Sequence, residues 1–131
     1  MRARWPARDE RGSAVPEFVM VLMVLIPLVF AIAQVALVMH VQNTMTAAAS
    51  DGARAAASLD APIGEARSRA RDVLRTTLAD RYAEDVSVRE AQVDGIPVIE
   101  VRVSAEVPPL GLWGPGVAVD AVGRAVRQEA P

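Results

Sequence analysis

The chain has 131 residues, of which 52% are hydrophobic and only 4% aromatic, so there is room for one small domain built on Ala, Val and Leu. The formal charge is −2, and the first 12 residues carry four Arg against Asp9 and Glu10, which leaves −4 for the rest. That balance excludes a general polyanion-binding surface, and the absence of cysteine excludes disulfides and thiolate metal sites.

Arg2, Arg4, Arg8 and Arg11 open the chain, and Gly12 and Ser13 follow. From Phe18 to Met39 runs FVMVLMVLIPLVFAIAQVALVM, residues 18–39, with no charge. At a rise of about 1.5 Å per residue, such a helix spans about 33 Å, enough for the hydrocarbon core of a bilayer at about 30 Å. Gln34 is its one strongly polar residue. Pro27, near the middle, removes a backbone donor and predicts a kink of the sort that membrane helices tolerate. Asp51 and Arg54 are the first charges after the segment. The arginines before it therefore place the N-terminus in the cytoplasm and residues from about 42 onward outside. A second reading stays open. Ala31-Ile32-Ala33 has the small-residue pattern of a secretory cleavage site, which would release a protein beginning at Gln34, with QVALVM as a hydrophobic terminus in need of burial.

Glu17 stands directly against the apolar run, where a carboxylate is costly unless it is paired or interfacial. As an isolated residue it reads as an interfacial acid favoured by the dipole of a helix N-terminus, with Pro16 suited to the first turn. Beyond Met39 the helical pattern continues through an alanine-rich stretch. Ala48, Gly52 and Ala56 recur every four residues and form a stripe that lets another helix approach closely, either within the same domain or between subunits. His40 sits at the membrane exit with no second ligand candidate nearby.

Asp60-Ala61-Pro62-Ile63-Gly64 breaks this first helix. A second helix is expected from Glu65 to Tyr82, with Ala66, Ala70, Val73, Leu74, Thr77 and Leu78 on its apolar face and Arg67, Arg71 and Arg75 on a solvated one. A strand over Asp85–Val93 then reaches a tight turn at Asp94-Gly95, and Pro97 implies that pairing of the next strand begins after it. Ile99, Val101, Val103, Ala105 and Val107 alternate with Glu100, Arg102, Ser104 and Glu106, the pattern of a sheet with one wet face. PPLGLWGPG forms a loop, and a third strand runs from Val117 toward Val126. The expected fold class is α+β. A long N-terminal transmembrane helix continues outside the membrane, followed by an amphipathic helix and a small three-stranded antiparallel meander. The expected organisation is a cytoplasmic leader over 1–12, the transmembrane and extended helix over 13–58, and a small extracytoplasmic domain over 59–131. A single His, no Cys and no glycine-rich phosphate loop leave no catalytic, cofactor or metal candidates.

One stretch carries a resemblance. Gly12, then four residues, then Glu17 and Phe18 leading into a hydrophobic helix, is similar to the processing site of Flp-type prepilins. Residues 11–57, through RGSAVPEF, the apolar helix and VQNTMTAAASDGARAAA, resemble the TadE-like family of minor pseudopilins of the Tad (tight adherence) pilus system. The text VRVSAEVPPLGLWGPGVAVDAVGRAV resembles its members more loosely. The resemblance implies a pilin-like architecture, a cut between Gly12 and Ser13 by a membrane prepilin peptidase, and pairing of Glu17 with the new N-terminal ammonium of a neighbouring subunit. The implied partners are membrane lipid, the peptidase, and other pilins, pseudopilins and pilus assembly proteins, with neither nucleic acid nor a small-molecule substrate. Pro16 before Glu17, and Phe18 where tyrosine is commoner, depart from the family pattern. An unprocessed membrane-anchored binding module and a secreted form cleaved after Ala33 are the alternatives.

Overall fold

The computed structural model describes residues 14–58, 61–111 and 114–128. Its backbone element is α1, Ala14–Ala57, a helix of 44 residues that runs through Pro27. Glu17 in the first turn and Arg54 in the last complement the helix dipole. The helix has two halves with opposite surroundings. Its most apolar 18-residue stretch is 0% buried. From Val41 onward one face is covered: Val41, Met45, Ala48, Ala49, Gly52, Ala53, Ala56 and Ala57 are all buried. Their spacing of three and four residues is that of a single helical stripe.

α2 spans Ile63–Thr77 and starts after the extended Pro62. Ala66, Ala70 and Leu74 are buried, with Val73 and Leu78 packed against the core, so the expected apolar face is present except for the exposed Thr77. The expected run to Tyr82 is not. The last helical bond at this end is Leu78 N–H to the Leu74 carbonyl at 2.8 Å, Leu78 leaves helical geometry (φ −115°, ψ −94°), and Ala79 is extended. A 3₁₀ turn over Asp80–Ala83 follows, which swings Tyr82 and Ala83 into the core. Burying the large Tyr82 ring favours that break over another helical turn.

Three strands complete the domain: β1 (Asp85–Val93), β2 (Ile96–Val107) and β3 (Val117–Val126), in the antiparallel order β1-β2-β3. Asp94 and Gly95 both have positive φ (53° and 81°), the geometry of a two-residue hairpin turn that matches strand twist. Pairing does not wait for Pro97, which lies opposite Gln92 inside the ladder. The two-residue turn makes Val93–Ile96 the hydrogen-bonded pair, so the next residue aims its backbone away from β1 and its missing N–H breaks no rung there. The Pro97 carbonyl instead accepts the Arg127 N–H at 3.0 Å.

α1 packs across β3 and β2, while α2 lies against α1 and β1. The inward face of the sheet supplies Val86, Ile99, Val101, Val103, Val107, Val119 and Ala121 to a core in which α1 provides a large share. β3 runs alongside α1 in the same direction. Gln42 Nε2 donates to the Asp120 carbonyl at 2.7 Å, Gly123 abuts Ala49 and Ser50, and Gln128 N–H reaches the Ala57 carbonyl at 3.1 Å.

Candidate functional site

The surface that sets this molecule apart is the lower half of α1. Phe18 (62%), Met23 (71%) and Val24 (70%) are more exposed than a folded domain in water tolerates for a continuous apolar band. Glu17 and Phe18 both lie exposed in its first turns. Gly12 and Ser13, the expected processing residues, lie outside the described residues. The apolar segment Phe18 to Met39 thus projects from the domain over its lower turns and meets it at Gln34, Leu37 and Val38, while the same helix from Val41 upward belongs to its core.

Ala48, Gly52 and Ala56 are all buried, and the helix that approaches Gly52 is α2 of the same chain. A Cβ on Gly52 would lie 2.7 Å from the Ala66 carbonyl oxygen and 3.1 Å from Ala70 Cβ, so glycine is what allows this contact. His40 is exposed, and its carbonyl accepts a hydrogen bond from the Thr44 hydroxyl at 3.0 Å. Among the described residues, no group of three or more His, Cys, Asp or Glu side chains could hold a metal ion.

Two features escaped the sequence reading. The first is the role of Gln34, which the sequence marks as a polar residue in an apolar run and as the start of the alternative secreted form. Its Oε1 accepts the Leu110 N–H at 2.7 Å and its Nε2 donates to the Pro108 carbonyl at 3.3 Å, so one side chain clasps the β2–β3 loop against α1. An amide kept in an otherwise uniform apolar segment was the available signal, since it needs partners there. The second is Glu100, expected on the wet face of β2 yet only 2% exposed. Arg89 on β1 and Arg124 on β3 sit directly opposite it, and each donates through Nε, at 2.7 and 2.8 Å. Arg102 adds a longer contact at 3.9 Å. Hydrogen bonds from Arg124 and Arg89, with their charges, hold the Glu100 carboxyl below its usual pKa against the opposing effect of burial. Only the strand register could have revealed this cluster.

The family described as TadE-like protein matches residues 12–54. The chain carries a TadE-like segment. The match begins at Gly12 and ends at Arg54, so it takes in the apolar half of α1, Ala48 and Gly52, and stops before α2 and the sheet. TadE-like proteins are structural pilus components and not a known enzyme family, and the match supports a component related to the Tad pilus. Among the described residues one helix, near the N-terminus, is long and apolar enough to cross a membrane, which fits a single-pass membrane protein of such a system. No curated protein and no solved structure matches the chain.

Proposed function

We propose that this protein is a pseudopilin-type subunit of the Tad pilus, inserted in the cytoplasmic membrane through α1 with its N-terminus inside and its α+β domain outside. Residues 1–12 act as a leader that a prepilin peptidase removes between Gly12 and Ser13. Glycine before the cut suits an enzyme that must approach the backbone closely. The observation that carries the reading is that one uninterrupted helix is largely bare and apolar from Phe18 to Ile32 and part of a folded core from Val41 upward, in a segment that matches the TadE-like family. A subunit built this way has a ready replacement for lipid, because the bare half of one α1 can pack on that of a neighbour. Glu17 then pairs with the Ser13 ammonium of an adjacent subunit, and each charge offsets the desolvation of the other. Ala48, Gly52 and Ala56 are buried within the chain, Gly52 against α2, so contacts between subunits fall to the lower half.

Intact-mass and N-terminal analysis of the membrane-extracted protein tests this. A start at Ser13 is expected, and Gly12→Val should abolish that start while leaving membrane insertion unchanged. A Met1 start in a strain with active peptidase would reduce the protein to a plain anchored module, and a Gln34 start would make it secreted.

A further inference from the structure

The β2–β3 loop is placed unusually for an outer domain. Gln34 binds its backbone at both Pro108 and Leu110, yet Gln34 lies five residues inside the apolar segment that ends at Met39. At about 1.5 Å per residue that is about 7.5 Å below the end of the segment, within the depth of roughly 5–10 Å at which interfacial elements bury apolar side chains. The sequence from Val107 to Val119 contains no charged residue. Leu110 and Val117 are exposed at 45% and 41%, and with Ile26, Pro27 and Phe30 they line an apolar groove of about 710 Å³ between loop and helix.

We propose that the described parts of this loop, residues 108–111 and 114–116, form a second membrane-contacting element, seated in the outer leaflet beside α1, with Gln34 as the clasp that holds it there and lipid chains filling the groove. The proposal rests on α1 crossing the membrane. Irregular backbone is normally excluded from lipid because its N–H and C=O groups go unsatisfied. Here that cost is reduced in two ways. Pro108, Pro109 and Pro115 have no N–H to satisfy, and the Gln34 amide takes up the Leu110 N–H and the Pro108 carbonyl. The same bonds satisfy Gln34 itself, whose amide would otherwise be costly at that depth. The loop backbone bonded by Gln34 sits at the boundary between headgroups and acyl chains, since Glu106 and Asp120 flank the uncharged stretch and belong in water, and the groove runs from there down α1 toward Ile26, among the acyl chains. Lipid is favoured as the occupant because, apart from Gln34, the groove is lined by apolar residues and glycines, and its Ile26 and Phe30 belong to the exposed apolar face of α1.

The chain has no cysteine, so single nitroxide labels report without background. Full-length protein is reconstituted in vesicles of phosphatidylethanolamine and phosphatidylglycerol with labels at Leu110→Cys, Val117→Cys, Val24→Cys in the span, and Arg67→Cys on α2. Relaxation by oxygen, which partitions into lipid, is compared with relaxation by a water-soluble nickel chelate. Oxygen should dominate at Leu110, Val117 and Val24, and the chelate at Arg67. Adding Gln34→Leu to the Leu110 label should shift that site toward the chelate, and an unchanged ratio would overturn the clasp. Chelate dominance at Leu110 and Val117 with oxygen dominance at Val24 would overturn the loop proposal alone. Chelate dominance at Val24 as well would overturn the spanning helix. Protection from both relaxers, with dipolar broadening between labels, would put a second copy in the groove and overturn lipid as its occupant.

Discussion

Gly52 of α1 lies beneath Ala66 of α2 so closely that a Cβ on Gly52 would stand 2.7 Å from the Ala66 carbonyl oxygen. That oxygen belongs to a helix backbone and cannot step aside as a flexible side chain would. Gly52→Ala gains helix propensity of up to about 1 kcal/mol, but overpacking costs typically about 1–3 kcal/mol. A net loss is expected in the urea midpoint of the outer domain, measured on detergent-solubilised full-length protein. Gly64, in the first turn of α2, meets nothing within 4 Å, so Gly64→Ala should raise the midpoint slightly, with a stability gain of at most about 0.5 kcal/mol. Equal effects from the two substitutions would contradict the packing described.

Gly123 of β3 makes a tighter contact still. Its Cβ would fall 2.3 Å from the Ala49 carbonyl carbon and 2.3 Å from the Ser50 nitrogen, backbone against backbone. Gly123→Ala should therefore lift α1 off the sheet and cost more than Gly52→Ala, at or beyond the upper end of the roughly 1–3 kcal/mol overpacking range. Hydrogen exchange should show lost protection in β3 while β1 retains more of it.

The two halves of α1 should respond differently to the same change. Met45 is fully buried, and Met45→Ala should cost about 2–5 kcal/mol of domain stability. Met23 is 71% exposed on the bare half, and Met23→Ala should leave the unfolding midpoint of the domain where it was. A comparable loss from both would mean that the lower half packs on the domain after all.

Acidification should weaken the sheet through Glu100. Its folded pKa lies below the ordinary value of 4.5, so its ion pairs contribute fully above that value and are lost as pH falls through the depressed folded pKa. Stability should thus decline from about pH 4.5 downward. In Glu100→Gln that part of the decline should be absent, while the neutral-pH loss stays modest because Arg89 and Arg124 are more than half exposed and can be solvated by water. An unchanged acid limb in the variant would remove Glu100 from the account.

Local features were legible in advance: the apolar run of α1, the Asp94-Gly95 hairpin, and the alternation that puts Val101 and Val103 inward. These depend on neighbours within a few residues. What escaped depends on partners far along the chain. Gln34 finds Leu110 across 76 residues, and Glu100 finds Arg124 across 24 and Arg89 across 11. Their meaning requires the register of β2 against both neighbours and the placement of the loop on α1. α2 stops at Thr77 for a related reason: Tyr82 gains more from a core assembled by distant strands than from another helical turn. The place of Pro97 inside the ladder is not legible locally either, because its tolerance depends on which rungs are hydrogen-bonded, and the turn decides that.

Because α1 runs from its apolar half into the domain core as one unbroken helix, it fixes the azimuth of the sheet about the helix axis and, on the membrane-spanning reading proposed above, its height over the bilayer. One residue inserted below Gln34 would turn the whole outer domain by about 100° and raise it by about 1.5 Å, presenting a different side to its neighbours. The same insertion between Gln34 and Val41 would set clasp and core at odds, since the loop and β3 could no longer both meet their places on the rod. Subunit orientation in an assembly is therefore written in the residue count of a single helix.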